Sequence, residues 1–63
     1  MIEVQEYNPK KQQWKAISKH RNITNAEIFF DCAKKTYAEH ERYKDYKTQL
    51  RVFDKTNNTI ILV

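Results

Sequence analysis

The 63-residue sequence has no glycine, one proline and one cysteine. Without glycine the chain has none of the phosphate-cradling loops or close backbone approaches that nucleotide sites use. A single cysteine allows no intrachain disulfide, and no Cys/His pattern has the spacing of a zinc site. No apolar run approaches the roughly 18 residues of a membrane span. Met1 leads straight into a polar–apolar alternation, so no signal peptide or membrane contact is expected. Asn22-Ile23-Thr24 and Asn57-Asn58-Thr59 fit the glycosylation sequon, but in a chain expected to stay in the cytoplasm both are chance matches.

What is present is charge and aromatic rings. Twelve Lys and Arg stand against eight Asp and Glu, a net charge of +4, alongside Trp14, three Phe and four Tyr. The apolar residues are clustered rather than scattered, which argues for a folded domain over a disordered one. Residues 1–63 are expected to form one small domain. A chain this short buries only about 60% of its unfolded surface, and its core supplies roughly 3–5 kcal/mol. The remaining stability must come from dense packing or association.

The segment MIEVQEY alternates with period two, Asn8-Pro9 opens a turn, and WKAIS alternates again. This predicts a hairpin over 2–18, with Ile2, Val4 and Glu6 opposite Ser18, Ala16 and Trp14, and with Tyr7, Lys15 and Ile17 facing the other way. Thr24 with Glu27 three residues later reads as a capping box flanked by an Ile23/Ile28 staple, predicting a helix over 25–41. Its apolar face carries Ala26, Phe29, Phe30, Ala33, Tyr37 and His40, with Cys32 at the edge as a small core thiol. The helix should end between Glu39 and Tyr43. From Thr48 a third strand follows, DKTNN turns with an asparagine in the left-handed position, and TIILV is the fourth strand. The second hairpin thus spans 48–63. The fold class is α+β: a ββαββ order, a four-stranded antiparallel sheet from two hairpins, and one helix packed on one face.

One helix covers one face of such a sheet, yet the other face does not read as polar. Val52 and Phe53 must point to opposite sides, and Ile60 and Leu62 must oppose Ile61 and Val63. Tyr7, Ile17, Phe53, Ile61 and Val63 are therefore the candidate contact residues of an interface, with a second copy of the chain or with another protein. A basic nucleic-acid-binding surface is the alternative, using Lys10, Lys11, Lys15, Arg21 and Arg51. A further basic and aromatic zone holds Tyr43, Lys44, Tyr46 and Lys47. Against it, carboxylates are interspersed and no RNA-binding or helix-turn-helix signature appears.

Catalysis finds little support. His40 stands between Glu39 and Glu41, with Asp45 beyond, but neighbours on a helix diverge by about 100° and do not converge on one ion. Cys32, between Asp31 and Ala33 at the edge of the apolar face, reads as a small core thiol rather than as a nucleophile, which would need a lowered pKa and a base. No enzyme activity, metal, cofactor or small-molecule substrate is expected.

The layout EVQEYNPKKQQWKAIS, a capped helix opening TNAEIFF, and LRVFDKTNNTIIL resembles small uncharacterised proteins of bacteriophages and prophages. Arg51, Val52, Asp54 and the turn residues carry the likeness, with Asn57 and Asn58 where glycine is usual. The resemblance implies an origin on a mobile element and a role in modulating a host protein in the bacterial cytoplasm. A small structural protein of a phage particle is a further alternative. The resemblance assigns no site residue.

Overall fold

The computed structural model describes residues 1–39 and 49–63. Strands β1 (Ile2–Asn8) and β2 (Gln13–His20), helix α1 (Ile23–Glu39), and strands β3 (Leu50–Asp54) and β4 (Thr59–Leu62) follow one another in that order. The strands form one antiparallel sheet of order β2-β1-β3-β4, the expected α+β architecture. The expected helix end beyond Glu39 and the strand start at Thr48 lie outside the described residues.

The two hairpins are closed by the same local device. Asn8 Oδ1 accepts from the amides of Lys10 at 3.0 Å and Lys11 at 3.3 Å. Asp54 Oδ1 accepts from those of Thr56 at 2.9 Å and Asn57 at 3.3 Å, and its Oδ2 accepts from Asn57 Nδ2. In each hairpin the fourth loop residue has positive φ, Gln12 at 54° and Asn58 at 54°. Asparagine enters this region more readily than glutamine, whose longer side chain gives no local compensation. Asn58 therefore takes the glycine-like position as expected, whereas Gln12 holds it at a cost of order 1 kcal/mol. At Asp54, partial desolvation pulls the carboxyl pKa up. Hydrogen bonds from Asn57 and Thr56 and the nearby Met1 ammonium outweigh this and hold it below its ordinary 3.8.

The central pair of the sheet is β1 with β3. Val4 lies opposite Val52, and both are fully buried. Backbone bonds from Lys55 N to Met1 O (3.0 Å) and from Tyr7 N to Gln49 O (2.9 Å) extend this ladder at its two ends. The outer strands carry irregularities. In β2, Val4 pairs with Ser18 but Gln5 pairs with Ala16, so Ile17 is an extra residue. In β4, Val52 pairs with Leu62 but Phe53 pairs with Ile60, so Ile61 is extra. A bulge lets the strand change which face its residues serve. The expected first register is thereby corrected: Ile2 pairs with His20, Glu6 with Lys15, and Trp14 with Tyr7. Ile17 and Ile61, expected to face away from the helix, instead pack against the core.

The helix begins two residues earlier than the capping-box reading had it. Asn22 is the cap: its Oδ1 accepts from the Asn25 amide at 2.9 Å and its carbonyl from Ala26 N at 3.3 Å. Thr24 and Glu27 match the box pattern but lie within the helix, both exposed. Ala26, Phe30 and Ala33 are buried against Ile2, Val4, Leu50 and Val52, the two alanines allowing close approach to the sheet. The Lys34 ammonium sits 5.0 Å from the centre of the Phe30 ring and covers its outer side. The Tyr37 hydroxyl donates to Glu6 Oε2, tying α1 to β1. Cys32, expected as a core thiol, is exposed.

Two outcomes test this account. Asn22→Ala is expected to cost about 1 kcal/mol in chemical denaturation, and Thr24→Ala less than about 0.5 kcal/mol; the reverse order would restore the capping box. Because the folded-state pKa of Asp54 is depressed, its contribution is present above about pH 4 and lost as pH falls through the folded value. Acid melts should therefore show a shallower loss of thermal stability below about pH 4 in Asp54→Asn than in the unaltered protein.

Candidate functional site

The face of the sheet away from α1 is built by alternation. Along β1, Ile2, Val4 and Glu6 face the helix side and Glu3, Gln5 and Tyr7 alternate with them. Those on β3 between Leu50, Val52 and Asp54 are Arg51 and Phe53. The bulges add Trp14 and Ala16 from β2 and Ile60 from β4, through their pairing with Tyr7, Gln5 and Phe53. Directly paired residues share a face.

Among the described residues no helix covers this face, yet Glu3 and Gln5 are only 5% and 7% exposed. Glu3 stands between Lys19 and Phe53 on the flanking strands, and Gln5 between Ala16 and Arg51. Arg51 Nε donates to Gln5 Oε1 at 2.7 Å, and Gln5 Nε2 donates to Glu3 Oε1 at 2.9 Å, so one amide links the guanidinium to the carboxylate. The guanidinium carbon lies 4.0 Å from the centre of the Trp14 ring and 4.7 Å from that of Phe53. Trp14 meets Tyr7 at 5.2 Å with the planes tilted by 58°. Trp14 and Arg51 stand on strands that flank β1, two strand spacings or about 9–10 Å apart, and only a long side chain bridges that span. Desolvation by burial lowers the guanidinium pKa from its ordinary value. The ring faces partly replace the hydration it loses.

The residues expected to form an interface are not brought together. Tyr7 and Phe53 lie on the open face and are half-buried. Ile17 and Ile61 belong to the core side, and Val63, 82% exposed, follows the end of β4. The expected basic set is divided too. Arg51 is in the centre of the open face, while Lys10 and Lys11 are in the β1–β2 loop at its Tyr7/Trp14 end. Lys15 pairs with Glu6 on the helix side. Arg21 follows His20 at the opposite end of β2. Tyr43, Lys44, Tyr46 and Lys47, like His40, Glu41 and Asp45, lie outside the described residues.

Sequence reasoning missed Trp14, Gln5 and Glu3. A tryptophan two residues into a strand and an arginine followed by valine and phenylalanine were visible signals; the bulge that turns Trp14 to the open face was not. Other exposed apolar side chains, Ile28 and Phe29 among them, lie on α1, where Phe29 rests against the His20 ring at 5.5 Å. His20 Nε2 is in turn 2.8 Å from Ser18 Oγ. Among the described residues no His, Cys, Asp and Glu cluster has the makings of a metal site, and no helix is long and apolar enough to cross a membrane. Comparison with protein-family models, curated proteins and solved structures returned no match.

The Glu3–Gln5–Arg51 chain is expected to contribute measurably to stability. Gln5→Leu removes both hydrogen bonds and should cost about 1–3 kcal/mol in urea unfolding, by leaving Glu3 buried without its donor. It should also change the emission of Trp14, the single tryptophan. A variant as stable as the unaltered protein would mean that water serves Glu3 and Arg51 equally well.

Proposed function

We propose that the protein is a small non-enzymatic binding module that engages another protein through the open face of its sheet. What supports this reading is one assembly, Tyr7, Trp14, Arg51 and Phe53, placed side by side on a surface that no element among the described residues covers. Tryptophan, tyrosine and arginine are the residues in which binding energy concentrates at protein interfaces, since each buries a large rigid or planar surface at modest entropic cost. The likeness of the strand and turn motifs to phage and prophage proteins adds a host protein as the partner to be modulated.

Self-association through this face is less well served. A two-fold interface centred on Arg51 brings each guanidinium toward its copy. The carboxylate it would need, Glu3, is already buried and held by Gln5. Nucleic acid is favoured by one observation, the closeness of Lys10 and Lys11 to the aromatic end of the face. Against it, the guanidinium already lies over the Trp14 and Phe53 rings, which restricts the π-surface open to a base. Lys15 and Arg21 do not continue a track of charge along the sheet.

The test uses tagged protein to capture partners from bacterial extract, beside folded Phe53→Lys and Trp14→Ala variants. A protein retained by the unaltered chain should be lost, or held at least about tenfold more weakly, by both variants. Capture indifferent to both substitutions overturns the assignment to this face. Capture that persists only with nucleic acid present, and collapses steeply with salt, overturns the protein reading.

A further inference from the structure

On the reading of the open face as a binding surface, the chemistry of Arg51 says what its partner must carry. Of the five guanidinium N–H donors, the one on Nε is used by Gln5. The four on the two Nη atoms have no hydrogen-bond partner among the described residues. The head group is held in place by that bond and by the Trp14 and Phe53 rings at 4.0 and 4.7 Å. A fork fixed in this way has lost its rotational freedom before any ligand arrives, and its paired donors match the two oxygens of a carboxylate. Apolar ring surface beside it raises the strength of an ion pair over one made in open water.

We propose that Arg51 is the seat for an aspartate or glutamate side chain of the partner protein, with apolar residues on either side of that carboxylate resting on Trp14, Tyr7 and Phe53. A polyanion is the poorer fit. A nucleic-acid backbone repeats its charge at each residue and needs a row of cations, whereas Lys15 faces the helix side and Arg21 lies at the far end of β2. Glu3, one amide away from Arg51, opposes a second negative charge nearby. A single carboxylate sets one negative charge against Glu3, where a polyanion sets a row of them. Lys10 and Lys11, at the Tyr7/Trp14 end, and the net charge of +4 steer an acidic segment toward the face.

The probe is a capped pentapeptide with one central glutamate between aliphatic residues, compared with its glutamine counterpart and with oligothymidylate. Binding is followed by the Arg51 Nε resonance and by Trp14 fluorescence at low salt. The glutamate peptide should shift both signals saturably at millimolar concentration. The glutamine peptide should bind at least about tenfold more weakly, as should the glutamate peptide to Arg51→Lys, which keeps the charge and loses the fork. If Arg51→Lys does not fold, the peptide pair on the unaltered protein decides. Equal binding of the two peptides, no binding of either, or undiminished affinity in Arg51→Lys overturns the proposal. So does a shift of Arg51 by oligothymidylate but not by the glutamate peptide. If the carboxylate seat fails while capture from extract still depends on Trp14 and Phe53, the binding surface stands and only the acidic partner is wrong. If capture is also indifferent to those residues, both readings fall.

Discussion

The structure depends on an imbalance: a four-stranded sheet has two faces and the described residues supply one helix. Ala26, Phe30 and Ala33 close one side over Val4 and Val52. The other side is covered from within the sheet, by a side chain laid across the strands. Arg51 suits this task because its stem is apolar and its head is planar, so the guanidinium rests on rings and still donates from its edge. A lysine in its place would keep the charge but would lack the flat head group and the Nε donor that reaches Gln5. Burying Glu3 without a donor would cost about 1–3 kcal/mol in a domain with little to spare. Gln5 meets that need while keeping the carboxylate one residue away from the cation, which leaves the Nη fork uncommitted among the described residues.

The edges of the sheet obey a second constraint. β2 and β4 are outer strands with unpaired backbone groups, a liability for uncontrolled pairing. Each contains a bulge, at Ile17 and at Ile61, and bulges twist an edge away from a prospective neighbour. The same insertions send both isoleucines toward the core instead of the open face. One device thus blunts the edges and adds apolar volume to a small core.

These bulges also mark where the sequence stopped being legible. Alternation in MIEVQEY, the Asn8-Pro9 turn and the asparagine at position 58 were sufficient for two hairpins, because turn chemistry is local. The helix was legible as well, but its start was misjudged. Thr24 with Glu27 satisfied the capping pattern, while Asn22 engaged both its side chain and its carbonyl. An inserted residue in a strand leaves no compositional trace, so Ile17 and Ile61 were given the face that strict alternation dictates, and Trp14 was placed on the wrong side with them. Arg51 and Phe53 were placed correctly since β3 runs without a bulge across its pairing with β1. That Trp14 and Arg51 meet at all follows from β1 lying between β2 and β3, a strand order that period-two patterns do not encode.

The central position of β1 couples the two faces. Ile2, Val4 and Glu6 serve the helix side, while Glu3, Gln5 and Tyr7 serve the open one, so the core and the Arg51 assembly share one strand. The pairing of Val4 with Val52 sets the register that places Gln5 opposite Arg51. A one-residue slip would separate this pair and turn every side chain of the strand over. The platform is therefore as rigid as the core beneath it. A surface ordered before its ligand arrives gives up little conformational entropy on binding. On the proposed binding role, a self-covered face built on the central strands would give a partner a recognition surface without making the fold of so small a protein depend on that partner.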